Sequence, residues 1–161
     1  MSASAGYKIR FRAGPGAGGN VSSHRFFIGL RDTFSSPTDA NPSTYTDIIG
    51  LGYDAADTQV QIMHNDGSGT ATKVALGASF PKPSVASTNV FDLTLECEPG
   101  ASSVSYSVID VSSGSVAAGT ISTNLPAAST LLDWWSQMSA GGTVTAVELG
   151  FFGVDVEIGA Q

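Results

Sequence analysis

The chain has 161 residues and a net charge of −7, and only 13% of its residues are charged whereas 42% are hydrophobic. This length is typical of one domain with a buried core, and the low charge content argues against a helical bundle rich in Glu and Lys. No window approaches the roughly 18 apolar residues of a membrane-spanning helix, and the acidic balance disfavours nucleic acid. We therefore expect neither membrane insertion nor nucleic-acid binding.

The first 20 residues are predicted to form a basic strand followed by a glycine-rich hinge. In Tyr7–Arg12 cationic and apolar side chains alternate, which is typical of a strand with one charged and one apolar face. Near the C-terminus, Val154–Ile158 alternates acidic and apolar residues in the same way. Because opposite charges on neighbouring strands favour pairing, we expect these two segments to pair with each other.

The next segments predict strands separated by one long loop. His24–Arg31 and Asp47–Tyr53 have strand patterns, and Asp32–Thr46 between them contains two prolines and no periodicity. Two alternating runs, Thr58–His64 and Thr70–Leu76, flank the Asx- and Gly-rich segment Asn65–Gly69. This arrangement is typical of a β-hairpin.

The central part of the chain predicts an antiparallel meander. Its three strands are Asn89–Cys97, Ser102–Val111 and Ser115–Ser122, which are joined by short turns. Cys97, the only cysteine, shares the parity of the apolar positions of its strand, which favours a buried structural thiol over a nucleophile.

The last third predicts one short helix and one long strand. Ser129 or Thr130 can cap a helix near residues 130–139, and Gly141 and Gly142 would end it. The run Val144–Ile158 changes parity near Gly150–Phe152, which predicts a β-bulge.

These elements together predict an all-β fold, an antiparallel β-sandwich or jelly roll with one short helix. The core sandwich spans residues 24–158, and residues 1–161 form a single domain. About nine strands at a spacing of 8–12 residues are typical of this class.

The sequence offers little support for catalysis or a cofactor. The two histidines have no zinc-binding spacing, and no phosphate-binding loop or serine-hydrolase motif is present, so we expect no enzyme and no cofactor. Calcium is the one metal with candidate ligands, at Asp54, Asp57, Asn65 and Asp66. The strand between these two turns would separate them by roughly 20 Å, which weakens the calcium hypothesis.

A sugar-recognition patch is the candidate site. In up-and-down strand order, Asp32–Thr46 and His64–Gly69 fall at the same end of the sandwich, so we expect Tyr45, His64, Asn65 and Asp66 to form a patch with one stacking ring and several hydrogen-bonding groups. The alternative is that the hairpin loop is only a solvated turn. Trp134 and Trp135 face different ways on any regular element, so one is expected in the core and the other as a stacking platform or an interface residue.

Four segments of the sequence resemble those of a known family. HRFFIGL, the hairpin region IIGLGYDAADTQVQIMHNDGSGTATKVALGASFP, and VFDLTLECEPGASSVSYSVIDVSSG with the later NLPAAST resemble the receptor-binding or C-terminal β-sandwich modules of bacteriophage tail fibres and tailspikes. The resemblance covers most of residues 24–158. It implies a jelly-roll or concanavalin-like sandwich, assembly as a homotrimer, and a role in attachment to a bacterial surface glycan or in trimerisation. It also implies that the chain is made in the host cytoplasm and works in the virion with other phage tail proteins.

The sequence leaves two functions open. The first is a non-catalytic host-recognition module that binds bacterial polysaccharide. The second is a structural phage protein, such as a fibre trimerisation cap or a capsid decoration protein, without a ligand of its own. The aromatic residues exceed what one thin core absorbs, which favours a homotrimer in either case; they are Phe34, Trp134, Trp135, Phe151 and Phe152.

Overall fold

The structure is a computed structural model that describes residues 1–16, 23–32, 39–83, 89–141 and 147–159. In these ranges the chain forms ten β-strands and one 3-10 helix, Pro42–Thr44. The strands are β1 Tyr7–Pro15, β2 Arg25–Arg31, β3 Ile48–Tyr53, β4 Gln61–Asn65, β5 Thr72–Ala75, β6 Phe91–Cys97, β7 Val104–Asp110, β8 Val116–Ile121, β9 Asp133–Ser139 and β10 Leu149–Ile158. The described residues contain no helix long and apolar enough to cross a membrane.

The strands form two five-stranded antiparallel sheets. Sheet A has the order β10-β1-β6-β7-β8, and sheet B has the order β5-β4-β3-β2-β9. Their inward-facing side chains form one buried apolar cluster to which both sheets contribute. In sheet A, buried and more exposed positions alternate along residues 7–12 of β1 and along the whole of β6. The predicted all-β sandwich is confirmed.

The two terminal segments pair as predicted. Strand β1 lies between β6 and β10, and Arg10 forms ion pairs with Asp155 at 2.7 Å and Glu157 at 3.2 Å. The predicted bulge is also present: Arg12 pairs with Gly153 and Ala13 with Phe151, so Phe152 is the extra residue.

The predicted hairpin and meander are confirmed. Strands β4 and β5 pair around the 66–71 turn, and β6, β7 and β8 are consecutive neighbours in sheet A. Ile48 pairs with Asn65, so the ends of the long loop and of the hairpin loop meet at one end of sheet B.

The predicted helix near residues 130–139 is wrong, because this segment forms strand β9. Trp134 pairs with Leu30 and Met138 with Phe26, so β9 covers the edge of β2. The residues have moderate helix propensity, but pairing with the edge of β2 satisfies the backbone groups of both strands. Tertiary pairing overrides local propensity.

Candidate functional site

Glycines shape the outer face of sheet B. A Cβ added at Gly50 would lie 2.3 Å from the carbonyl oxygen of Ile28 and 2.7 Å from the Phe27 ring, and one at Gly52 would lie 3.3 Å from the same ring. The alternating glycines of β3 therefore leave room for the Phe27 ring to lie against the outer surface of the sheet.

Tyr45 packs on Phe27 from the loop that precedes β3. Its ring stands edge-on to the Phe27 ring, with centroids 6.2 Å apart and an interplanar angle of 89°. The loop is attached at Ser43, whose amide donates to Asp54 Oδ1 at 3.0 Å and whose carbonyl accepts from the Ala71 amide at 2.8 Å. Tyr45 is consequently only 5% exposed.

Arg31, at the end of β2, stacks between two aromatic rings. Its guanidinium carbon lies 4.3 Å from the centre of the Tyr45 ring and 5.3 Å from that of Trp135. Gln137 joins the rings, because its Oε1 accepts from the Tyr45 hydroxyl at 2.7 Å and from Trp135 Nε1 at 3.3 Å. We call Arg31, Tyr45, Trp135 and Gln137 the arginine–aromatic cluster.

The cluster combines groups that suit saccharide recognition. Trp135 and Arg31 are both partly exposed at the outer face, and the indole ring and the guanidinium lie beside each other. Aromatic faces stack on the apolar face of a sugar ring, and a guanidinium donates hydrogen bonds in a planar fork. Sequence reasoning named Tyr45 and Trp135 but missed Arg31 and Gln137.

The other predicted site residues lie elsewhere. His64 is 2% exposed and on the inward face of β4, where Nδ1 lies 3.0 Å from the Asn124 carbonyl oxygen. Tyr45 covers the outward face of sheet B, so the sheet separates the two side chains. The structure does not bring Tyr45 and His64 into one patch.

Asn65 and Asp66 stabilise the hairpin turn. The Asn65 side chain is fully buried, accepts from the Gly67 amide at 2.7 Å and donates to the Ser68 carbonyl at 2.9 Å. Asp66 is exposed and accepts from the Ser68 hydroxyl at 2.8 Å. These bonds are those of an Asx turn, so both residues have a structural use in the loop.

Trp134 and Trp135 face opposite ways, as predicted, but neither lies in the core between the sheets. Trp134 is 46% exposed and stacks on Phe151 of β10 with centroids 5.5 Å apart. This stack lies where the edges of the two sheets meet at β9 and β10. Several exposed apolar side chains line what we call the open edge: Leu131, Trp134, Phe151, Val156 and Ile158.

A second candidate surface is a groove of about 440 Å³ on sheet A. The bulge exposes 64% of Phe152 beside a bidentate ion pair between Arg12 and Asp92, with N–O distances of 2.5 and 2.6 Å. The hydrogen bond with Asp92 raises the pKa of Arg12. The bulge prediction pointed to this position, but the cross-strand partner of Arg12 could not be read from the sequence.

The ammonium group of Lys73, from β5, lies between Asp54 and Asp57, two of the candidate calcium ligands. Lys73 Nζ lies 2.6 Å from Asp54 Oδ2 and 2.8 Å from Asp57 Oδ2. Burial lowers the pKa of Lys73, but its hydrogen bonds to Asp54 and Asp57 outweigh this effect and raise it overall. No group of three or more His, Cys, Asp or Glu side chains suited to a metal occurs among the described residues.

Cys97 is a buried thiol, as predicted, and lines a cavity of about 370 Å³ at one end of the sandwich. Burial, with a contribution from Glu98, raises the pKa of Cys97. A raised pKa lowers the thiolate fraction at neutral pH, which agrees with a structural role.

Comparisons with known proteins identify the fold. The structure is similar to peanut lectin bound to a nine-residue peptide, with a TM-score of 0.55, 13% identity, and coverage of 91% of this chain and 68% of that chain. It is also similar to the lectin UEA-II in complex with galactose, with a TM-score of 0.58, 12% identity, and coverage of 97% and 73%. An alginate lyase from Pseudomonas aeruginosa gives a TM-score of 0.54, 12% identity, and coverage of 97% and 66%.

No protein-family model and no curated protein sequence matches the chain. The structural similarities therefore establish a lectin-like β-sandwich fold, and function has to be argued from the site.

Proposed function

We propose that this chain is a non-catalytic carbohydrate-binding module of a bacteriophage tail fibre or tailspike, which attaches the virion to polysaccharide on the bacterial surface. The observation that carries the proposal is the arginine–aromatic cluster on the outer face of sheet B. It places an accessible indole ring next to hydrogen-bonding side chains on rigid strands, and such preformed groups bind a sugar with little loss of conformational entropy.

Two further observations support this function. The fold is shared with two lectins, one of which is described in complex with galactose. The sequence segments of residues 24–158 resemble phage receptor-binding modules, and this resemblance supports the proposal that the chain acts in the virion with other tail proteins as partners.

The test is binding to a panel of purified bacterial capsular and O-antigen polysaccharides, with two matched aromatic substitutions. Trp135→Ala removes the platform on sheet B, and Phe152→Ala removes the exposed ring of the groove on sheet A. We expect Trp135→Ala to lower affinity at least fivefold, taking the value of about 1–3 kcal/mol for a base stacked on an aromatic ring as a guide, and Phe152→Ala to leave it unchanged. The reverse result would move the site to sheet A, and absence of binding by the unaltered chain would refute the function.

The open edge favours a second, structural function. Its exposed apolar side chains, among them Leu131 at 74% and Ile158 at 61%, leave apolar area that association would cover. A homotrimer is the assembly we propose, either as part of the receptor-binding module or as a trimerisation cap without a ligand. Co-purification with fibre or capsid proteins, combined with no binding to any polysaccharide of the panel, would favour the cap.

A further inference from the structure

Arg31 differs from the other arginines in its surroundings. Arg10 and Arg12 form ion pairs with acidic side chains on neighbouring strands, and Arg25 contacts Asp39 at 3.5 Å and Asn41 at 2.6 Å. Within the described part of the chain, the Arg31 side chain has no ion pair and no hydrogen bond, and its guanidinium lies over the rings of Tyr45 and Trp135. Its Nε is buried and has no hydrogen-bond partner.

This arrangement leaves one donor of the Arg31 guanidinium unsatisfied inside the fold. A buried donor without an acceptor destabilises the folded state, and the two cation–π contacts stabilise the charge without supplying an acceptor. The chain has fourteen acidic residues, and Asp133 is the register partner of Arg31 on β9, yet the two side chains form no ion pair. The guanidinium therefore lies over two aromatic rings without an acceptor in the described part of the chain, which suits the binding of an external anion.

We propose that Arg31 is the anchor for a carboxylate of an acidic saccharide, such as a uronic acid residue, with the sugar ring against Trp135. This proposal rests on the proposed carbohydrate-binding function and specifies its ligand class. The planar fork of a guanidinium matches a carboxylate bidentately, and such charge-assisted bonds are about twice as strong as neutral ones. Tyr45 and Gln137 act as positioning residues, because the hydrogen bond between them fixes the ring on which the guanidinium lies.

The first experiment uses glucuronate and glucose as matched probes, since they differ only at the carboxylate. Titration followed by the Nε–H resonance of Arg31 in a ¹⁵N NMR spectrum is expected to show a shift with glucuronate and none with glucose. An unchanged Arg31 resonance at saturating glucuronate, or an equal shift with both sugars, would overturn the proposal.

Substitutions then separate charge from fold. We expect Arg31→Met to weaken glucuronate binding at least tenfold and Arg31→Lys, which keeps the charge but not the fork, to weaken it severalfold. Arg12→Met on sheet A is the matched control, and it should leave glucuronate binding unchanged. Asp133→Asn, which removes a negative charge beside the site at an exposed position, should strengthen glucuronate binding about twofold. Equal binding by the Arg31→Met variant with an unchanged melting temperature would refute the role of Arg31.

Carboxyl-reduced polysaccharides distinguish the two proposals from each other. If the chain binds acidic polysaccharides, and if this binding is lost after carbodiimide and borohydride reduction of their carboxyl groups, both proposals hold. If it binds neutral and reduced polysaccharides equally well and still needs Trp135, the carbohydrate-binding function stands and the carboxylate anchor is wrong. If it binds none, the function itself fails.

Discussion

The Tyr45 hydroxyl donates a hydrogen bond of 2.7 Å to Gln137 Oε1, although 92 positions separate the two residues in the sequence. This bond joins the loop before β3 to the edge strand β9 across the outer face of sheet B. It fixes the tyrosine ring on which Arg31 stacks, so the geometry of the proposed binding site depends on it.

Tyr45→Phe is expected to lower the free energy of unfolding by about 1 kcal/mol, because it removes a buried hydrogen bond while keeping the ring. Urea denaturation measures this change. The matched control is Tyr106→Phe, at a half-buried tyrosine opposite Gly119 in sheet A, where we expect less than about 0.5 kcal/mol. Equal effects of the two substitutions on the free energy of unfolding would mean that the hydrogen bond to Gln137 does not stabilise the fold.

Gly50→Ala is expected to destabilise the chain by about 2–3 kcal/mol. The new Cβ would collide with the Ile28 carbonyl oxygen and with the Phe27 ring, and the strand has no room to shift without breaking the pairing of β2 with β3. Gly153→Ala is the control, since no atom lies within 4 Å of its added Cβ. Thermal unfolding should show a large decrease in melting temperature for Gly50→Ala and little change for Gly153→Ala. An unchanged melting temperature of the Gly50→Ala variant would contradict the packing of Phe27 against β3.

Asp47→Asn is expected to raise the melting temperature by about 2 °C at pH 7. Burial, and then the charges of Asp32 and Asp66, raise the pKa of Asp47 above 3.8. An acid with a raised pKa contributes stability that is fully present below pH 3.8 and is lost as pH rises through the folded-state pKa, so the charged form is unfavourable at pH 7.

The advantage of the Asp47→Asn variant should therefore disappear at pH 3, where both side chains are neutral. Melting curves of the two proteins at pH 3 and pH 7 measure the difference directly. The backbone of Asp47 has φ of 49°, a conformation that Asn tolerates at least as well, so it introduces no new strain. A gain of equal size at both pH values would assign the effect to the backbone.

Phe151→Ser is expected to dissociate the proposed homotrimer. Phe151 stacks on Trp134 at the open edge, and its loss removes apolar area that association would cover. Light scattering should give about three times 16.4 kDa for the unaltered chain and a lower mass for the variant at micromolar concentration.

The neighbouring Phe152→Ser is the matched control for the oligomer, because Phe152 lies on the bulge and lines the groove on the opposite side of β10. It should leave the mass unchanged. A monomer mass for the unaltered chain would refute the trimer, and a trimer that survives Phe151→Ser would move the interface away from the open edge.

Most of the strands, the bulge near Phe152 and the pairing of β1 with β10 could be predicted from the residues alone. Period-two alternation marks a strand with one buried face, and the complementary charges of the two terminal segments favour their pairing. The sequence did not determine β9. The residues of β9 carry no strong strand signal alone, and the free edge of β2, formed more than 100 positions earlier, decides their conformation.

Some residues of the candidate site could likewise be predicted from the sequence, whereas their contacts with one another could not. Tyr45 and Trp135 could be named from the sequence, since aromatic rings near loops are stacking candidates wherever they are placed. Their meeting with Arg31 and Gln137 could not, because it requires the glycines of β3 to admit Phe27 and the loop to fold over it. His64 was misplaced for a related reason: its parity with Ile62 was visible in the sequence, but only the packing of the two sheets decides that this face is the buried one.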